Sequence, residues 1–333
     1  MSNQAAWIPE AKGKLVVKEA PMPKAGKGEV VIKNHAVAVN PVDWKVQDYG
    51  IIIQKFPNVC GTDVAGEVYE VGEGVTHVKK GDRVIGHAFS LAYQDPAHGG
   101  FQLFTKCNAL VVSKIPSNIS FTQASVLPLG ISTAATLLFK KETLALPMSF
   151  SAPSTGKSVL VWGGASSMGA IAIQMAAATG LKVVTTASKH NLDKMKDLGA
   201  SAAFDYNDPN VVDDIVAALQ GTEFAGVCDA IGAWEAWVPV SEKLGGRYGS
   251  VALIQDKVPK SIEGNAVFAV SVALADKYIG DVVWAQWVPE ALEKGTLKAV
   301  PEPLVIGKGL DAVQKGYDEQ KKGVSFRKIV IEL

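Results

Sequence analysis

Val159-Leu160-Val161-Trp162, then Gly163-Gly164-Ala165-Ser166-Ser167-Met168-Gly169, then small and apolar residues as far as Ala178: this stretch decides how the chain is read. Four apolar residues stopped by a Gly-rich turn predict a buried strand, and the run behind them predicts a closely packed helix. A loop that holds a dinucleotide at this place needs a tight turn, close backbone approach to pyrophosphate, and close packing of helix on strand. Gly164 and Gly169 meet the first and third needs, while the middle position is Ser166 instead of Gly. A Gly-rich turn without ligand is the alternative. Ser158 to Leu181 is also uncharged and long enough to span a bilayer. The polar break at Gly163 to Ser167 favours strand, turn and helix over a span.

Downstream, the same rhythm repeats. KVVTTAS (182–188) precedes NLDKMKDLGA, AAFDY (202–206) precedes NVVDDIVAALQG, and GVCDAIG, YGSVALI and a possible sixth strand in NAVFAVSVALA (265–275) follow. Strand and helix alternating at this period predict a doubly wound parallel α/β sheet of Rossmann type over 126–275. An NAD site needs a carboxylate at the end of the second strand for the ribose 2′-hydroxyl. Here the residues are Ser188, Lys189, His190 and Asn191, with no acid before Asp193. Groups that donate to a 2′-phosphate point to NADPH. Ser188 could equally cap the next helix, with Lys189 a solvated charge.

Upstream, GEVVIKNHAVAVN (28–40), VAGEVYEVGEGV (64–75), GDRVIGHAF (81–89) and ALVVSKIP (109–116) have the texture of a compact β-rich domain. Ser120 could cap a helix in FTQASVLPLGISTAATLLF (121–139). After an amphipathic stretch, WVPEALEKGTLKAV, and a last strand, RKIVIEL, the chain is expected to return to that first domain and supply its helical cover. The domains so drawn are 1–125 with 276–333, and 126–275. With 333 residues, 33 basic and 33 acidic, no net field exists to hold nucleic acid or anionic lipid. Three dispersed cysteines, Cys60, Cys107 and Cys228, form neither a disulfide framework nor a zinc spacing, and the opening residues lack a secretory pattern. A cytoplasmic protein is expected.

The blocks Asn40-Pro41-Val42-Asp43-Trp44-Lys45, Gly61-Thr62-Asp63-Val64-Ala65-Gly66, Gly81-Asp82-Arg83-Val84 and Gly99-Gly100-Phe101, in this order with the loop at 164–169, resemble the medium-chain dehydrogenase/reductase superfamily. The 40–45 block, Ser188 to Asn191, and Val324-Ser325 look most like fungal trans-acting enoyl reductases, which serve polyketide pathways and are allied to zinc-free quinone oxidoreductases. The resemblance implies a GroES-like catalytic domain beside the Rossmann domain. It places Asn40 and Thr62 where zinc-dependent members have ligands, and neither is a competent zinc ligand. No metal is expected, and His35, His77, His87 and His98 read as ordinary strand or surface residues.

A nicotinamide enzyme without metal can still reduce an electron-poor alkene: hydride adds at the β-carbon, charge appears on the enolate oxygen, and the α-carbon is protonated. The resemblance makes Lys45 the catalytic candidate, with Asp43 and Trp44 expected to shape the pocket and hold Lys45; the alternative is that Lys45 only holds the cofactor ribose. It further implies NADPH contacts from Val42, Asp43, Trp44, Lys45, Gly164, Ala165, Ser166, Ser167, Met168, Gly169, Ser188, Lys189, His190, Asn191, Tyr206, Leu253, Ile254, Val324 and Ser325. Pro128, Leu129, Gly130, Ile131, Ser132, Thr133, Ala134 and Ala135 fall where the family binds substrate. Trp44, Ile51 to Ile53, Phe139 and Trp284 could line an apolar cleft or be core. The substrate is either a carrier-bound polyketide enoyl thioester or a free enone or quinone, with a polyketide synthase as the candidate partner and Lys55 a lone docking charge. A noncatalytic NADPH-binding protein is the remaining alternative.

Overall fold

The computed structural model describes residues 2–150 and 153–333. The chain divides into two compact units, one of residues 1–129, 284–293 and 299–333, the other of 130–283 and 294–298.

The first unit is β-rich. Its seven-stranded sheet runs in the order Glu302–Lys308, Arg327–Glu332, Glu29–Ala38, Asp63–Val71, Arg83–His87, Val112–Lys114, with Phe104–Asn108 also paired to Glu29–Ala38. All these pairings are antiparallel except that of Glu302–Lys308 with Arg327–Glu332. The alternating residues of the sheet bury Val30, Ile32, Val37, Val64, Val84, Ile329 and Ile331 in one core. A smaller sheet pairs Asn3–Ile8 with Val16–Ala20 and Asn58–Val59. The Pro41–Tyr49 and Ala312–Lys322 helices lie against each other. Their bonds run from Trp44 Nε1 to Gln320 (2.5 Å), between Gln47 and Gln314 (2.9 Å), and from Lys321 to Asp48.

The second unit carries the six-stranded parallel sheet expected from the sequence, ordered Ala202–Asp205, Lys182–Ala187, Lys157–Trp162, Glu223–Asp229, Arg247–Ser250, Gly264–Ala266. The order reverses beside Lys157–Trp162, which opens a crevice at the carboxyl ends of the central strands. The Ser167–Ala178 helix packs close because Gly169, Ala170, Ala172 and Ala176 leave little side chain to displace; Met168 to Ala176 are all buried.

The uncharged Ser158–Leu181 stretch is a strand and a helix packed on the sheet, as its central break suggested. Two expectations need correction. The sixth strand stops at Ala266, and the apolar run beyond it coils into a 3-10 turn at Ala269–Ala273. Such short runs do not distinguish strand from buried turn by periodicity. Residues 276–283 belong to the second unit, because Lys277–Val282 packs on that turn and Asp276 pairs with Lys140 at 3.0 Å. The stretch Phe121–Phe139, apolar and long enough on composition to cross a membrane, is bent into two helices and mostly buried.

Candidate functional site

In the second unit the loop after Lys157–Trp162 is as tight as its glycines require. A Cβ on Gly164 would stand 2.2 Å from Thr185 Oγ1, and one on Gly169 would stand 2.3 Å from the Gly163 carbonyl. Ser166, the residue out of pattern, caps the helix by accepting from Gly169 N at 3.0 Å. Gly163 and Gly164 donate their N–H groups to Thr186 of the second strand. Gly164, Met168 and Gly169 are buried, so Ala165, Ser166 and Ser167 form the accessible part of the loop, over a helix start whose first amides lack helical acceptors.

At the end of Lys182–Ala187, Ser188 to Asn191 form a short 3-10 turn. Lys189 and His190 are exposed, but Asn191 is buried and works within the turn, donating to Ser188 Oγ at 3.3 Å and accepting from Lys194 Nζ at 3.2 Å. Lys194 is thereby brought to the same surface. The sequence reading missed it, although it lies one helical turn past Asn191. Tyr206, just beyond Ala202–Asp205, is half exposed.

At the carboxyl ends of the last three strands Ile231, Leu253 and Phe268 are exposed by 53%, 72% and 70%, an apolar ledge of which the sequence reading named only Leu253. Ile254 is corrected: at 3% exposure it is core, packed with Trp237 and Tyr248, and it lies past a strand that ends at Ser250. Asp229 ties the ledge together. Its Oδ1 accepts from the N–H groups of Ile231, Gly232 and Ala233 (3.3, 2.8 and 3.1 Å), and its Oδ2 accepts from Ser250 Oγ (2.9 Å). Of Pro128 to Ala135, only Leu129 and Thr133 are not buried; one turn apart on the Pro128–Phe139 helix, they share a face. Pro128, Gly130, Ile131, Ser132, Ala134 and Ala135 are interior, as are Phe139 and Trp284.

In the first unit, Lys45 is exposed on the Pro41–Tyr49 helix, its Nζ 5.7 Å from the Trp44 ring centre, and Lys321 stands 5.6 Å from the same ring. Val42 and Trp44 are half-buried, and Val324 and Ser325 exposed. Asp43 is corrected. It is fully buried and does not hold Lys45; its Oδ2 accepts from Asn40 N at 2.7 Å across the helix start. Burial, with the like charge of Asp63, drives its carboxyl from 3.8 up to about 7 against the opposing pull of Asn40 N–H and Lys328.

The positions at which the resemblance would put zinc ligands do not fit a metal. Asn40 donates Nδ2 to Thr62 Oγ1 (3.0 Å) and Asp63 Oδ2 (2.7 Å), while Lys328 donates Nζ to Asn40 Oδ1 (2.5 Å) and Asp63 Oδ2 (3.0 Å). Besides an amide and a hydroxyl, the set offers a dication one carboxylate, that of Asp63, already paired with a repelling ammonium. Among the described residues no three His, Cys, Asp or Glu gather as a metal-binding group. His35 stacks on Phe121, His77 lies 3.1 Å from Val112 O, His87 is buried edge-on to Phe89, and His98 sits between Asp95 and Glu29 at 3.1 and 3.0 Å. The three cysteines are free and buried, and burial pushes their thiols up, away from thiolate chemistry.

Comparison with known proteins gives two family models: "Alcohol dehydrogenase GroES-like domain" matches residues 26–117, and "Zinc-binding dehydrogenase" matches 167–293. The dehydrogenase orsE of Emericella nidulans is 40% identical, with 100% of this chain and 99% of that protein covered. The trans-enoyl reductase himH of Aspergillus japonicus is 40% identical over 99% of this chain and 97% of its own length. Among solved structures, the quinone oxidoreductase from Coxiella burnetii has the same fold, with a TM-score of 0.72, 23% identity and 100% of both chains covered.

Proposed function

The chain belongs to the medium-chain dehydrogenase/reductase superfamily and is an oxidoreductase resembling fungal enoyl reductases, and from that premise we propose that it is an NADPH-dependent, zinc-independent enoyl reductase. The substrate in this reading is an α,β-unsaturated carbonyl or enoyl thioester, reduced for a polyketide-type pathway in a reducing compartment. The observation that carries the reading is that Asn40 and Thr62, with the Lys328 ammonium beside them, stand where the resemblance would put zinc ligands, in a chain whose dinucleotide loop keeps the close-packed Gly164 and Gly169.

When bound, NADPH supplies the hydride that adds to the β-carbon of the alkene. The accessible loop, Ala165 to Ser167, and the start of its helix hold the diphosphate. Ser188, Lys189, His190 and Lys194 receive the 2′-phosphate, with Asn191 fixing their turn. Ile231, Leu253 and Phe268 would give the nicotinamide ring an apolar wall that excludes water. As the π electrons move toward the carbonyl, negative charge gathers on the enolate oxygen, and Lys45 Nζ stabilises it and supplies or relays the proton for the α-carbon. Asp43, held inside, has no part in that transfer. The face bearing Leu129 and Thr133 meets the acyl portion of the substrate. A stand-alone quinone or enone reductase is the second reading, favoured by the shared fold with a quinone oxidoreductase. A carrier protein of a polyketide synthase is the partner in the first.

The test follows NADPH oxidation by absorbance, with NADH in parallel, while enoyl thioesters, enones and quinones are offered in the presence of a chelator. Turnover with NADPH and a reduced alkene as product is the expected result. Activity on alcohols that chelation abolishes would overturn the metal-free reading, and NADPH binding with no turnover across the panel would leave either a substrate that must be carrier-bound or a noncatalytic binder.

A further inference from the structure

Lys328 is 4% exposed, set at an inward position of the Arg327–Glu332 strand whose next three residues, Ile329 to Ile331, are core. Burying an ammonium there is costly unless its charge and its protons are satisfied. Asp63, fully buried at the start of Asp63–Val71, supplies the charge at 3.0 Å. Asn40 supplies a second acceptor at 2.5 Å through its side-chain oxygen.

Asn40 is also where the site helix begins. Its amide nitrogen points into the same centre, on Thr62 and Asp63, its backbone N–H bonds Asp43 Oδ2, and its carbonyl accepts from Asp43 N at 3.1 Å. One buried side chain thus joins the ion pair to the first turn of Pro41–Tyr49, while Gln314, Gln320 and Lys321 hold the flank of that helix. The other carboxylate oxygen, Asp63 Oδ1, accepts from Leu129 N at 2.5 Å and so cannot turn to follow a moving partner.

We infer that the buried Lys328–Asp63 pair is a positioning device for the reaction: through Asn40 it sets the start of the Pro41–Tyr49 helix and with it the stance of Trp44 and Lys45. The inference rests on the proposed role of Lys45. Lys328 touches no reacting atom in this scheme; a small misplacement of the catalytic group is enough to lower turnover.

The full chain carrying Lys328→Met, Lys328→Arg or the double change Lys328→Met with Asp63→Asn tests it. The double variant removes both charges together, leaves no unpaired ion in the core, and keeps an acceptor for Leu129 N, so it folds even if the single Met variant does not. Hydrogen exchange is read over residues 41–49 against 83–87 of the same unit, NADPH affinity by fluorescence titration, and kcat and KM with a but-2-enoyl thioester. Expected are exchange about tenfold faster at 41–49 alone, kcat lower by about 10- to 100-fold with NADPH affinity unchanged, and partial recovery in Lys328→Arg. Unchanged exchange at 41–49, or faster exchange across the whole unit, overturns the inference. Local loosening with unaltered kcat instead overturns the role given to Lys45, which Lys45→Ala checks separately.

Discussion

Asp43 and His87 titrate in opposite senses inside the same core. The Asp43 carboxyl, raised by burial from 3.8 to about 7, keeps a proton that the unfolded chain gives up, so its contribution to stability is full at low pH and lost as pH rises through about 7. Burial lowers the His87 imidazole from 6.5 to about 4, so its contribution is full above the unfolded value and lost as pH falls toward 4. Between about 4 and 6.5 the two slopes oppose each other. Replacing Asp43 by Asn removes one of them. The melting temperature of that variant is expected to climb with pH across this window more steeply than that of the parent; parallel melting profiles would refute the assignment. For Lys45→Ala we expect kcat to fall by about 10²- to 10⁴-fold with little change in NADPH affinity, measured by steady-state kinetics and fluorescence titration. Sequence brought both residues to notice in one block but could not separate them. Positions two apart on a helix face different ways, and only the packing shows that Asp43 points in and Lys45 out.

Strands and helices of the second unit were legible because their signals are local: a Gly-rich turn after an apolar run, then the same alternation again. Gly169 illustrates how firmly that loop is set. Gly169→Ala drives a methyl against the Gly163 carbonyl, and we expect a loss of about 1–3 kcal/mol in thermal or denaturant unfolding together with loss of NADPH binding. The preference for NADPH rests on the turn after Lys182–Ala187. Lys189→Glu combined with Lys194→Glu is expected to reduce the ratio of kcat/KM for NADPH over NADH by about tenfold or more, since each charge-assisted contact contributes about 1.5–3 kcal/mol; an unaltered ratio would remove these lysines from the site. Lys194 escaped the sequence reading because its part depends on Asn191 turning inward, a burial that no local pattern records. The substrate segment was read too broadly for a related reason. Small residues that look like room for a ligand are equally what a tightly packed helix needs, and here six of the eight are spent on packing.

At the scale of the whole chain, the sequence showed that the C-terminal residues return to the first unit but misplaced the point of return, because Lys277–Val282 is fixed by packing on its own neighbourhood and not by composition. The second unit is nearly continuous, and the first is assembled from both ends. A fragment spanning 130–298 is therefore expected to fold by itself, with cooperative melting by circular dichroism, whereas 1–129 alone is not. A folded 1–129 fragment would show that the last strands are dispensable. Arg327–Glu332 lies between Glu302–Lys308 and Glu29–Ala38, and so is an interior strand of the sheet that the N-terminal residues begin. During synthesis, then, Phe104–Asn108 covers Glu29–Lys33 early, but Ala36–Ala38 of the same strand keep that edge unmatched until residues 330–332 arrive. The chain grows by about 220 residues between Asn108 and Val330, which at about 5–20 residues per second is a delay of about 10–40 s. Throughout that interval an apolar strand edge is open to pairing with other nascent chains. Yield in the cell is then expected to depend on elongation rate and chaperone supply more than on the stability of the finished protein, and slower translation of the last third is expected to raise aggregation without altering a single contact in the native state.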